Sequence, residues 1–264
     1  MTTTRHPALT AILWLAAILM LLPVLATFLN SIATGWTGGI LPSGLSLDAY
    51  ETILSDGRFQ SALLRSMAVA GLALLLACLL TVPAVIAAHL YWPTLDAWMA
   101  RLVILPYAVP TIILMVGYLR VFSAPPLQFS GQPIVLVLTY VPLCFPMFYI
   151  NIKNSLQALD TTELLEASRL LGISDARLLR RVVLPSIVPG IALAVVLNFA
   201  GLMSEFVYAR MLVGGQFETL QMYMFAQRDL SGRLSSVIVT VYFLITLLVT
   251  FAAFRLVWRT ETKS

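Results

Sequence analysis

Six long apolar runs alternate with short polar segments along the chain, near residues 9–30, 62–91, 98–122, 133–152, 187–213 and 235–258. A helix rises about 1.5 Å per residue, so about 20 apolar residues cross about 30 Å of hydrocarbon. Each run is long enough, and the pattern predicts six membrane-spanning helices. The second run is the longest, which predicts a helix that tilts or emerges from the bilayer. The first has a basic start (Arg5, His6) and small residues at Ser31-Ile32-Ala33, as a cleaved signal peptide would. Its length of about 22 apolar residues exceeds the usual 7–15 of a signal core, so an uncleaved span is expected.

The polar segments between the runs predict their own elements. Residues 31–61 are rich in Gly, Ser, Thr and Pro, and within them GLSLDAYETIL predicts a short surface helix with Asp48 as N-cap. SAPPLQFSGQ at 123–132 reads as a turn, and 214–234 as a polar loop carrying Arg228, Asp229 and Arg233. The longest polar segment is 153–186. There Asp160 with Glu163 resembles a capping box, a helix follows through Leu164, Leu165, Glu166, Ala167, Ser168 and Leu171, and Gly172 ends it. Ser174 is expected to cap a second helix, 175–184, closed by Pro185. The expected product is a helix, a sharp bend at Gly172 and a second helix. Neither helix is long enough to be stable alone in water.

Composition agrees with the pattern. Hydrophobic residues make up 60% of the 264 and charged residues 11%, against roughly 25% charged in soluble domains. Mean hydropathy is +0.93. The net charge of +4 does not indicate nucleic acid, because no basic stripe interleaves with aromatics. The basic residues instead orient the chain. With the N-terminus inside, Arg5, Arg101, Lys153, Arg169, Arg177, Arg180, Arg181, Arg255, Arg259 and Lys263 fall on the cytoplasmic side. Arg58, Arg65, Arg120, Arg210, Arg228 and Arg233 fall on the other. The bias predicts both termini inside and 153–186 in the cytoplasm. Cys78 and Cys144 lie in apolar runs and read as packing residues, and His6 and His89 lack ligand spacing, so no metal site is expected. No Gly-Lys-Ser/Thr phosphate loop is present.

The spacing in the polar loop is specific. Glu166-Ala167-Ser168, three residues, Gly172, nine residues, then Val182-Val183-Leu184-Pro185 resembles the signature loop of permease subunits of binding-protein-dependent ABC importers. That pattern is Glu-Ala-Ala, three residues, Gly, nine residues, Ile, any residue, Leu, Pro; here Ser168 and Val182 are the mild departures. LSLDAY at 45–50, the Phe59–Ser66 stretch and LPYAVPTI at 105–112 extend the resemblance. It implies an all-α, six-span permease of the type I importer fold, N-in and C-in, as a single domain over 1–264 in a bacterial inner membrane. The size and the lack of extra domains resemble the polyamine, iron, thiamine and aminophosphonate group.

The resemblance also implies a division of labour. Two ATPase subunits bind ATP and magnesium, an extracytoplasmic solute-binding protein delivers substrate, and a second permease completes the pathway, expected to differ from this one, with a second copy of this chain as the alternative. This chain then needs no cofactor and no catalytic residue. Glu163, Leu164, Leu165, Glu166, Ala167, Ser168, Gly172, Leu184 and Pro185 are the candidate ATPase-coupling residues, with Glu166 the polar anchor and Leu164, Leu165 and Ala167 the packed contacts.

A substrate path is expected where polar or helix-breaking residues interrupt the spans. Pro83, Pro106, Pro110, Pro142 and Pro146 each remove a backbone donor inside a run. Glu205 is an acid placed within the fifth run, a costly position that favours the bundle interior. Pro106, Pro110, Pro142, Asn198, Ser204, Glu205 and Tyr208 are therefore the candidate pathway residues; Glu205 either is wetted near the outer end of the fifth run, pairs with Arg210 or a partner chain, or lines the pathway and attracts a cationic group on the substrate. A polyamine or aminophosphonate is the expected substrate, with ferric ion, thiamine or a sugar as alternatives. A stand-alone secondary transporter would show more spans and inverted repeats, and an intramembrane enzyme a nucleophile–base or metal constellation.

Overall fold

The computed structural model describes residues 7–36, 39, 42–228 and 231–261; Arg5, His6, Asp229 and Lys263 lie outside them. In chain order the elements are α1 (Pro7–Ile32), β1 (Ala33–Thr34), β2 (Gly44–Leu45), α2 (Asp48–Ser55), α3 (Gly57–Tyr91), α4 (Pro93–Leu102), α5 (Leu105–Ala108), α6 (Thr111–Ser123) and α7 (Pro133–Gln157). Then come α8 (Thr161–Leu170), α9 (Asp175–Leu178), a π-helical turn (Leu179–Val183), α10 (Leu184–Met203), α11 (Val207–Leu212), a 3-10 turn (Gly214–Phe217), α12 (Leu220–Gln227) and α13 (Gly232–Glu261). Among the described residues, five helices are long and apolar enough to cross a membrane, and six if a bent pair counts as one span.

The bent pair corrects the third predicted span. Pro93–Ala108 and Thr111–Ser123 meet at 103°. Pro106 and Pro110 explain the break: neither has an N–H to donate, and Pro110 forces Val109 out of the helical region, to φ −95°, ψ 125°. Pro110 then starts α6 from an extended conformation. Pro142 and Pro146, by contrast, sit inside an unbroken α7.

The fifth predicted span is also redrawn. Helix runs without interruption from Asp175 to Met203, so Pro185 does not close a helix at 184. The π turn just before Pro185 widens the spiral where its ring would meet the carbonyl four residues back. At the other end the helix stops at Ser204, and 207–212 forms the separate α11, so Glu205 lies in a break and not within a span.

The chain packs as two compact units, residues 1–60 with 223–244, and 61–222 with 245–264. In the first, β1 and β2 pair antiparallel, with Ala33 opposite Leu45. Helix α2 starts at Asp48 with Leu47 as N-cap, one residue earlier than the sequence suggests, and Asp48 instead accepts from Arg233 at 2.6 Å and from Ser46 at 2.5 Å. Asp56 caps the first turn of α3 through the Arg58 N–H (2.8 Å) and accepts from Tyr223 Oη at 2.5 Å. Tyr223 is fully buried edge-on to Phe59, and burial with Asp56 alongside pushes its hydroxyl up to about 12.

The core of the second unit is a stripe on α7. Leu136, Tyr140, Cys144, Phe148, Ile152 and Leu156 recur every four residues, all nearly inaccessible. Val183, Ile187, Ala194 and Asn198 form the matching buried row along the helix that contains α10. Gly190 lets the two helices touch: a Cβ there would sit 2.7 Å from the Asn151 carbonyl oxygen and collide with Ser155 Oγ. Cys144 is buried and Cys78 half-buried, both as free thiols.

Candidate functional site

Two places in the second unit gather the candidate residues. The first is the loop around α8. Helix α7 ends at Gln157 and α8 begins at Thr161, so the chain must turn within three residues. Asp160 does this in the left-handed region, φ 43°, ψ 56°, and makes no side-chain cap. The expected capping box is therefore absent, since capping needs an extended N-cap backbone.

The other end of α8 forms as the sequence predicts. Gly172 has φ +68°. Its N–H bonds to the Arg169 carbonyl at 3.1 Å, and the Ile173 N–H to the Ser168 carbonyl at 2.8 Å. This pair of bonds is a Schellman motif, which satisfies carbonyls that a helix end leaves open.

Helical periodicity divides α8 into two faces. Thr161, Leu165 and Ser168 are buried, at 3%, 8% and 4% exposure. The Ser168 hydroxyl donates back to the Leu165 carbonyl at 2.9 Å. Leu165 and Ser168 thus belong to this chain's own interior. Glu163, Glu166 and Ala167 are exposed, and Leu170 and Leu171 are bare at 90% and 75%. Sequence reasoning missed these two leucines, although Leu170 continues the Glu163–Glu166–Ala167 face at helical spacing. Leu164 is half-buried. Farther on, Pro185 is exposed, and Leu184 lines an apolar groove of about 280 Å³ with Leu179, Pro83 and Ile86.

The second place is a cavity of about 220 Å³ lined by Tyr107, Leu143, Met147, Leu197, Asn198, Gly201, Leu202 and Glu205. Of the predicted pathway residues, Asn198 and Glu205 line it directly. Pro106 and Pro142 each precede a lining residue, while Pro110 starts α6, Tyr208 packs edge-on to Tyr118 at 6.3 Å, and the Ser204 hydroxyl bonds to the Gly201 carbonyl at 2.9 Å. Asn198 donates to the carbonyls of Cys144 (3.3 Å) and Ala194 (2.9 Å), bridging α10 to α7.

Glu205 has an architectural part in this cavity. One carboxylate oxygen accepts from the Tyr208 N–H at 2.7 Å. The other accepts from the Ala209 N–H at 3.0 Å and from Tyr140 Oη at 2.9 Å. The carboxylate therefore caps α11 and still fronts the cavity. Tyr107 and Tyr140 were not anticipated; the signal available was their position close to Pro106 and Pro142 in the chain.

Among the described residues no three His, Cys, Asp or Glu side chains gather as a metal site.

Comparison with known proteins fits this arrangement. Residues 81–260 match the family described as "Binding-protein-dependent transport system inner membrane component". A Salmonella typhimurium protein named as a 2-aminoethylphosphonate transport system permease, PhnV, is 28% identical over 208 residues, covering 79% of this chain and 77% of that one. The spermidine/putrescine transport system permease protein PotC of Escherichia coli K12 is 22% identical over 244 residues, covering 92% and 90%. The crystal structure of a bacterial ABC transporter involved in import of the acidic polysaccharide alginate superposes with a TM-score of 0.69 at 18% identity, over 97% of this chain and 96% of that one. Long apolar helices, a polar loop with the signature spacing and a family match across it place this chain among the inner membrane components of binding-protein-dependent transport systems, as a multi-pass, non-catalytic permease subunit of an ABC importer whose ATPase is a separate subunit.

Proposed function

We propose that this chain forms half of the translocation pathway of an ATP-driven importer, with both termini in the cytoplasm and α8 docked on a separate ATPase subunit. The observation that carries the docking assignment is the outer face of α8: two almost fully exposed leucines beside Glu166 and Ala167, on a helix whose inner face is already buried. A short amphipathic helix in a groove is a recurrent recognition mode, and exposed apolar anchors are what such a groove reads. Relative to the sequence reading, the packed contacts move from Leu165 to Leu170 and Leu171, with Ala167 and the half-buried Leu164 kept and Glu166 the polar anchor. Gly172, Leu184 and Pro185 shape the bend and the return into α10.

On the same reading a second, different permease completes the pathway, and an extracytoplasmic binding protein delivers the substrate. ATP binding draws the ATPase subunits together, and α8 moves with them as a rigid-body switch. The substrate is a small polar or cationic solute of the polyamine or aminophosphonate class. Glu205 supports this, since its charge fronts the cavity, as do the names of the two relatives.

The test of docking is a pull-down of the tagged chain from gently solubilised native membranes, with mass spectrometry. An ATPase and a second permease should accompany the wild-type chain, and Glu166→Lys should lose the ATPase. A chain that comes down alone contradicts the proposal. For the substrate, Glu205→Gln should lower uptake of putrescine, spermidine or 2-aminoethylphosphonate in reconstituted vesicles, while Glu205→Asp lowers it less. Unchanged uptake in the Gln variant removes Glu205 from the pathway.

A further inference from the structure

One polar cluster is used by neither the cavity nor the outer face of α8. It joins the inner face of α8 to three other helices. The Thr161 hydroxyl, on the first residue of α8, lies 3.0 Å from His89 Nε2 near the end of α3. His89 Nδ1 lies 3.1 Å from Lys153 Nζ on α7. Lys153 in turn pairs with Asp96 Oδ2 on α4. Tyr149, one turn before Lys153 on α7, donates to Asp96 Oδ1 at 2.8 Å.

The hydrogen-bond chemistry gives this chain a direction. A lysine ammonium only donates, so His89 Nδ1 accepts from it. The imidazole is then neutral, with its proton on Nε2, and donates to Thr161 Oγ1. Asp96 accepts from Lys153 and Tyr149. The side chains of His89, Lys153 and Asp96 are only 17%, 18% and 16% exposed, and Thr161 only 3%. Breaking one link leaves a partly buried polar group unpaired, so the cluster resists being pulled apart.

A second tie exists nearby, from Tyr91 and Arg169 to Asp175, both at 3.1 Å. There Arg169 is 57% exposed, and an exposed pair of this kind contributes little. The buried chain is therefore the stronger polar link between α8 and the helices.

We propose that Thr161, His89, Lys153 and Asp96 form a coupling relay. It passes displacement of α8 to α4, and so to the bent segment that carries Tyr107 on the cavity wall. The four are positioning residues, and the proposal rests on the docking of α8 proposed above. Asp96 is the delivering end because α4 leads directly into α5, where Tyr107 sits. The covalent route from α8, through Ala158, Leu159 and Asp160, enters α7, whose Lys153 and Tyr149 hold Asp96; the Thr161–His89 link adds a side-chain route from α8 to the same lysine.

The test uses the complete transporter, with Tyr107→Cys as reporter and Cys78 and Cys144 replaced by Ala. Labelling by a water-soluble maleimide is compared between the nucleotide-free state and the state trapped with Mg-ATP and vanadate. In the parent the two labelling rates should differ. Thr161→Val and His89→Leu should keep ATP hydrolysis yet lose that difference. His89→Gln, which can still accept from Lys153 and donate to Thr161, should restore it. A difference that persists in Thr161→Val and His89→Leu overturns the relay. Loss of assembly and hydrolysis together in all three variants also overturns it, leaving only a structural brace. A parent complex with no ATPase and no nucleotide response would instead sink the docking proposal beneath it.

Discussion

Gly172 has room for a side chain but not the backbone for one. Nothing lies within 4 Å of where its Cβ would be, yet φ is +68°. Substitution should therefore cost only the left-handed conformation, about 1–2 kcal/mol for most residues. Gly172→Asn should be the best tolerated replacement, because Asn visits that region more readily. Complex recovery and ATP-driven uptake should fall in the order Gly172→Asn, Gly172→Ala, Gly172→Val; equal behaviour would remove the turn from the mechanism. Asp48 supplies a second test. Hydrogen bonds from Arg233 and Ser46 hold its carboxyl down to about 2, below the ordinary 3.8. A depressed acid contributes its stabilisation above the unfolded pKa and loses it as pH falls through the folded one. The contact between α2 and Arg233 should thus be intact above about pH 4 and lost toward pH 2. Hydrogen exchange of the α2 amides should rise across that window in wild type and be high throughout in Asp48→Asn. Gly172 was legible in the sequence because glycine after an amphipathic run has one common use. The Lys153–Asp96 pair was not, because the partners lie 57 positions apart and nothing local links them.

Single residues decide where the elements break. The apolar runs announced the long helices, since only helices satisfy every backbone group in lipid. Their interruptions were harder to read. Pro106 and Pro110 break the third run, while Pro142 and Pro146 leave α7 whole. All four prolines remove a donor, but α7 is buried along its length whereas no residue of α5 is buried. The break at 204–206 had no proline to announce it. Glu205 turns back to cap α11, so an acid that looked like a residue within a span ends one instead. The asymmetric faces of α8 were half legible: spacing gave the stripes, and only burial showed which stripe is spent at home. Contact between α7 and α10 depends on Gly190. A methyl group there meets the Asn151 carbonyl oxygen at 2.7 Å. Gly190→Ala should cost about 1–3 kcal/mol through overpacking and Gly190→Val more, read as lower thermal stability in detergent. A Gly190→Ala variant as stable as wild type would mean the helices move apart without penalty.

Across the whole molecule, long apolar helices are joined by polar segments, among them the segment of α8 with Leu170 and Leu171 exposed. The family match covers that segment, and the shared fold with the alginate transporter extends over nearly the full chain. Substrate identity was less legible, because the cavity wall is mostly Leu, Met and Gly with Tyr107, Asn198 and Glu205 as its polar marks, and the last two are already engaged by the protein's own backbone. The proposal on which the rest depends is that the exposed face of α8 is the seat of an ATPase subunit. A photo-reactive amino acid placed at Leu170 in native membranes probes that face, with the same group at buried Leu165 as control. An adduct between position 170 and a soluble ATPase subunit is expected, and none from position 165. Lipid adducts alone from position 170, with no protein partner, would overturn the docking and make α8 a helix that lies on the membrane surface.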